Sequence, residues 1–139
     1  MNKHELVALA FEAREHSYSP YSGFRVGAAV LTAKGGVYQG SNVENASYGA
    51  TICAERSAAL KAVYDGERKL TAIAVVGMPD NVSAEDAAYA FPCGLCLQFL
   101  HEFAAQDMKI YVARTPNDII ETSLGQMMPY HFGSQQLSE

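Results

Sequence analysis

The chain has 139 residues, a formal net charge of -5, and a composition 49 % hydrophobic and 18 % charged, with no tryptophan. That length suits a single domain, 1–139, burying roughly 68–70 % of its unfolded surface. The basic residues are scattered, the densest cluster being Glu67-Arg68-Lys69, which argues against a polynucleotide partner and for a small neutral substrate.

The opening residues Met1-Asn2-Lys3-His4-Glu5 lead into a polar amphipathic stretch rather than an apolar signal segment. No apolar run approaches the roughly 20 residues that span a bilayer, so no membrane association and a cytoplasmic location are expected. Leu6, Ala10, Ala13 and Val7, Phe11, Arg14 carry helical spacing over 2–16, and Pro20 with Gly23 ends it in a turn. Residues 24–32 read as a strand, Lys34-Gly35-Gly36 as a hairpin turn and 37–41 as the returning strand. A loop over 42–52 leads to a helix from 54 to about 64 that closes at Asp65-Gly66. The run 70–77 is apolar enough for a strand buried on both faces. A long connection over 79–91 precedes a helix over 96–105, a strand over 108–113, a fifth strand over 119–122 and a closing tail over 127–132. This order predicts one sheet covered by helices on its faces, a three-layer α/β domain.

All three cysteines fall in two short motifs, Cys53-Ala54-Glu55 and Pro92-Cys93-Gly94-Leu95-Cys96. An odd count with a C-x-x-C pair fits a reducing compartment better than a disulfide framework. Three thiolates can hold one zinc ion and leave a fourth position for water. Cys53 and Cys93 each stand just before an expected helix, where free N–H groups and the helix dipole favour anionic ligands. Glu55 is placed to carry a proton, and Arg56 to offset thiolate charge by hydrogen bonding to sulfur. A closed structural zinc would need a fourth protein ligand, and of the four histidines only His101 stands anywhere near, five residues after Cys96. A C-x-x-C redox pair would instead need an exposed, acidic Cys93 and no tightly held metal.

Cys53-Ala54-Glu55-Arg56 followed by Pro92-Cys93-Gly94-Leu95-Cys96 resembles the short, homotetrameric, zinc-dependent cytidine deaminases. Tyr18-Ser19-Pro20-Tyr21-Ser22, Phe24-Arg25-Val26-Gly27-Ala28-Ala29 and the run from Gly40 to Gly49 follow the same family pattern in order, so the likeness covers about residues 4–132. The resemblance implies a three-layer α/β/α sandwich with a five-stranded mixed sheet and one zinc per subunit. It also implies attack of activated water on C4 of cytidine or 2′-deoxycytidine, with ammonia leaving, as a step of pyrimidine salvage. Cys53, Cys93 and Cys96 match the metal ligands, and Glu55 the group that moves the protons. Asn42 and Glu44 match the pair that hydrogen-bonds the ribose, Phe24 a residue packed beside the nucleoside, and the Ala54 backbone a contact to the pyrimidine edge. Tyr48 and Phe132 resemble aromatic positions that close a site from a neighbouring subunit of the tetramer.

The family commonly reads Ser-Pro-Cys-Gly-Ala-Cys-Arg-Gln where this chain has Phe91-Pro92-Cys93-Gly94-Leu95-Cys96-Leu97-Gln98. Leu97 in place of arginine either removes a cation from beside a thiolate or is simply a core position. The departures keep open a deaminase of the same fold acting on another aminated heterocycle or a modified nucleoside. A binding module with a structural zinc is the reading from a different class.

Overall fold

The computed structural model describes residues 1–137. Asn2 opens α1 (Lys3–Arg14) with a reciprocal cap: its side chain accepts from the Glu5 N–H at 2.9 Å, while Glu5 accepts from the Asn2 N–H at 3.2 Å. β1 (Phe24–Thr32) and β2 (Val37–Ser41) form the expected hairpin, and α2 (Ala54–Tyr64) follows. β3 (Leu70–Pro79), α3 (Gly94–Phe103), β4 (Ala104–Thr115), β5 (Asp118–Ser123) and α4 (Leu124–Met127) complete the chain.

The strands form one sheet in the order β2-β1-β3-β4-β5. Only β3 and β4 run parallel, joined by the crossover that contains α3, and every other pairing is antiparallel. The alternation of side chains sorts the two faces. Ala72, Ala74, Val76 and Met78 of β3 pack with Leu6, Val7 and Ala10 of α1, while Ile73 and Val75 face Ala58, Ala59 and Ala62 of α2 and Leu100 of α3. Three layers result, α1 on one side and α2 with α3 on the other. No helix among the described residues is long and apolar enough to cross a membrane.

Two glycines let the helices approach the sheet. A Cβ on Gly27 would stand 2.1 Å from the Ala10 carbonyl oxygen of α1, and one on Gly40 would stand 2.4 Å from the Ala58 nitrogen of α2. Because β1 begins where β2 and β3 end (Gly27 opposite Ser41, Phe24 opposite Pro79), Phe24, Asn42 and the start of the 80–93 connection meet at one end of the sheet. Arg14 fastens that connection at its start, donating to the Met78 carbonyl at 2.7 Å and to Asp80 at 3.2 Å, with Arg25 adding a bond to Asp80 at 3.3 Å.

The main departures from the sequence reading lie around α3 and α4. The second motif helix starts at Gly94, so that Cys93 is its N-cap. It stops at Phe103, and β4 begins at once with an irregular stretch: Leu70 pairs with Ala104 but Ala72 with Lys109, and Asp107 takes a left-handed φ of 59°. The short α4 was not expected; Ser123 caps it by accepting from the Gln126 N–H at 3.2 Å.

Candidate active site

Cys53 and Cys93 occupy equivalent positions, each the extended N-cap residue of a helix, with ψ of 156° and 170°. Their carbonyls accept the first helical bonds, from Ser57 and Leu97, both at 2.9 Å. Cys96 lies one turn into α3 and is fully buried. None of the three sulfurs is in a disulfide, and all lie within 4.8 Å of one another. Zinc–sulfur bonds of about 2.3 Å let three thiolates at such spacing converge on one ion. The donor chemistry and the convergence both fit a zinc site, one per chain.

Among the described residues this is the one place where three or more such ligating side chains gather. His101 does not close the set: it packs against His131, ring centroids 4.2 Å apart. The fourth coordination position is therefore not taken by a histidine of this chain, as an open, reactive site requires.

The charges around the sulfurs are set by their neighbours. The Cys96 thiol donates to Cys53 and, with Arg56 helping against burial, brings the Cys53 thiol down to about 5; Cys96 itself is pushed well up by that same bond and by burial. Nη2 of Arg56 lies 3.5 Å from the Cys53 sulfur, as expected from its place one residue after Glu55. Its Nε–H is buried without a protein partner. Leu97 is buried in the core cluster that α2 and α3 share, so it packs there, and Arg56 is the cation beside the Cys53 sulfur.

Glu55 projects from the first turn of α2 and is only 5 % exposed. Burial, reinforced by the negative charge of Cys53, pushes its carboxyl up to about 7. A group near that value exchanges a proton readily in both directions at neutral pH. It shares a cleft of about 180 Å³ with Cys53, Cys93, Phe24, Asn42, Ala54 and Phe91. The structure thus brings together the thiols, Glu55, Ala54, Phe24 and Asn42 of the sequence reading.

Asn42 is 8 % exposed and already well bonded. Its Oδ1 accepts from the Val26 N–H at 2.9 Å and from the Ser17 hydroxyl, and its Nδ2 donates to the Phe24 carbonyl at 2.8 Å. One Nδ2 hydrogen remains for a ligand. Glu44 lies in a neighbouring cleft of about 310 Å³ with Tyr21, Ser22 and Tyr48, and Thr51 lines both clefts. The Glu44 carboxylate accepts from the Ser22 hydroxyl and from the N–H groups of Tyr21 and Ser22 at 2.9 and 3.1 Å, which hold it below the usual carboxylate range.

Tyr48 is 74 % exposed and meets Tyr21 edge-on, ring centroids 6.0 Å apart. Phe132 lines neither cleft; its carbonyl accepts from Gln98 Nε2 at 2.9 Å on the flank of α3, and its ring is half exposed. Within one chain it is therefore not part of the site. The sequence reading missed Thr51, Phe91 and the serines that hold Asn42 and Glu44. Phe91 could have been found from its position two residues before Cys93.

A family model described as the cytidine and deoxycytidylate deaminase zinc-binding region matches residues 1–112. The chain is 40 % identical to the cytidine deaminase of Halalkalibacterium halodurans over 139 residues, covering 100 % of both chains. It is 41 % identical to that of Sporosarcina psychrophila over 138 residues, covering 99 % of this chain and 96 % of the other. The crystal structure of cytidine deaminase from Burkholderia pseudomallei superposes with a TM-score of 0.84 at 40 % identity, over 95 % of this chain and 100 % of that one. The thiol cluster and the sheet that presents it have the same counterpart: this chain belongs to the zinc-dependent cytidine deaminase family.

Proposed function

We propose that this chain, a single domain, hydrolyses cytidine and 2′-deoxycytidine to uridine and 2′-deoxyuridine with release of ammonia, in pyrimidine salvage. The observation that carries the proposal is the buried Glu55 carboxyl, poised near neutrality in one small cleft with the converging thiols. Held by Cys53, Cys93 and Cys96, zinc supplies a Lewis acid that makes water acidic near neutral pH. Glu55 takes a proton from the attacking water and passes it to N3 as C4 becomes tetrahedral. The same carboxylate then takes the remaining proton from the hydroxyl now on C4 and delivers it to the departing amine, so that ammonia leaves and a carbonyl remains at C4. Arg56 keeps the thiol cluster from becoming too anionic to act on water.

Phe24 packs beside the ring, and the Ala54 backbone meets its polar edge. Asn42, through its remaining N–H, and Glu44, through its spare lone pairs, take the ribose hydroxyls across the wall shared by the two clefts. Exposed Tyr48 and Phe132 close the site from neighbouring copies in a homotetramer, and the protein works in the cytoplasm without a polynucleotide partner. Zinc-loaded protein incubated with cytidine is expected to release one ammonia per uridine and to sediment as a tetramer. Conversion of some other aminated heterocycle with none of cytidine would overturn the substrate, and a monomer of full activity would overturn the shared site.

A further inference from the structure

Phe91 lines the cleft with Glu55, Cys93 and Phe24, yet the chemistry above gives it no task. It ends a connection whose only regular piece is a single 3-10 turn at Ala84–Asp86, so side-chain bonds decide its course. Past Asp80, the bonds that tie it to the rest of the fold come from Arg114 and Asp118 of the β4–β5 hairpin. The Tyr89 hydroxyl donates to Asp118 Oδ1 at 2.6 Å, and Arg114 Nε donates to Asp118 Oδ2 at 2.8 Å. Arg114 Nη1 also donates to the carbonyls of Glu85 and Ala87, both at 3.3 Å, and its guanidinium lies 4.9 Å over the Tyr89 ring. The Asp118 carboxyl is held below its ordinary range by the Tyr89 hydroxyl and then by Arg114, so the clamp stays charged at neutral pH.

The clamp reaches the cleft in one step, because the Tyr89 ring packs at 6.3 Å from that of Phe91, tilted by 44°. The segment packs over β3 at Gly77, where Ala90 Cβ lies 3.0 Å from the place a Cβ would take, while the Phe91 ring beside it is 49 % exposed at the mouth of the cleft. Phe91 is two residues from Cys93 and in the cleft of the thiols rather than that of Glu44 and Tyr48. It therefore faces the reacting base and not the sugar.

We propose that Phe91 is a wall of the base pocket that limits the space around the pyrimidine, and that Tyr89, Arg114 and Asp118 are positioning residues that hold it there. This rests on the deaminase reading and names its selectivity: unsubstituted cytosine rings over rings enlarged by a substituent. A tight apolar wall discriminates a single methyl group by about 10–200-fold.

The test compares kcat and KM for cytidine and 5-methylcytidine in the zinc-loaded protein and four variants. Phe91→Ser is expected to lower the preference for cytidine at least about tenfold, chiefly by improving 5-methylcytidine. Tyr89→Phe and Arg114→Ala are expected to raise KM for cytidine by about 3–10-fold with kcat within about twofold, and to relax the preference in the same direction. Arg114→Lys, which keeps the cation over Tyr89, recovers part of the loss. An unchanged preference in Phe91→Ser would overturn the wall. A lower Tm in Tyr89→Phe and Arg114→Ala with KM and preference intact would reduce the clamp to scaffolding and overturn its positioning role. Failure of the unaltered protein on cytidine is a separate result that overturns the activity itself.

Discussion

Gly40→Ala joins stability and catalysis in one change. The new Cβ would stand 2.4 Å from the Ala58 nitrogen and 2.7 Å from the Ala54 carbonyl oxygen, against 3.4–4 Å for ordinary contact. Both neighbours are helix backbone, so no rotamer change relieves the clash, and α2 must lift from β2 by about 1 Å. Overpacking of this kind costs about 1–3 kcal/mol, and rigid neighbours place it at the upper end. For a chain of this size about 3 kcal/mol lowers Tm by roughly 10 °C. α2 also carries Glu55 and Arg56 and is capped by Cys53, so the same movement displaces the site. A misplacement of about 1 Å costs roughly 100-fold in rate. The assay is thermal unfolding and kcat/KM for zinc-loaded Gly40→Ala beside Gly125→Ala, whose new Cβ meets nothing within 4 Å. A Gly40→Ala protein with the Tm and kcat/KM of its parent would refute the reasoning.

Arg56→Ala leaves the Cys53 sulfur without its guanidinium partner, and zinc affinity or activity should fall by about 10–100-fold, read by chelator competition and by rate. Asn42→Ala strips the Val26 N–H of its acceptor and should cost about 1–3 kcal/mol in urea unfolding while raising KM for cytidine. His101 is held below its ordinary value of about 6.5 by burial and then by His131, with Glu102 opposing, so the unfolded chain binds more protons. Its contribution is therefore lost as pH falls below about 6.5, and His131→Ala should flatten the acid side of a urea-midpoint profile relative to the parent. An identical profile would contradict that coupling.

The sheet was readable because β3 is both apolar and alternating: residues 72 to 78 send successive side chains to two different cores. The thiols were readable because local spacing puts Cys53 and Cys93 at helix starts. What escaped depends on distance along the chain. Nothing around Asn42 announces that Ser17, Phe24 and Val26 will take most of its hydrogen bonds. Tyr89 and Arg114 are 25 residues apart, and only the return of β4 beside β3 brings them together. The early end of α3 escaped because Phe103, Ala104 and Ala105 suit helix and strand alike, and pairing of Ala104 with Leu70 settles the matter. Phe132, matched by the family pattern to a position that serves a neighbouring subunit, lies off its own chain's cleft.

The most direct measurement follows the ultraviolet change of cytidine with the zinc-loaded protein and with Glu55→Gln loaded to the same zinc content. The account predicts conversion to uridine by the first and a loss of at least about 100-fold in the second, with zinc retained by the three thiols in both. Equal rates in the two proteins would contradict the assignment of the proton transfers to Glu55.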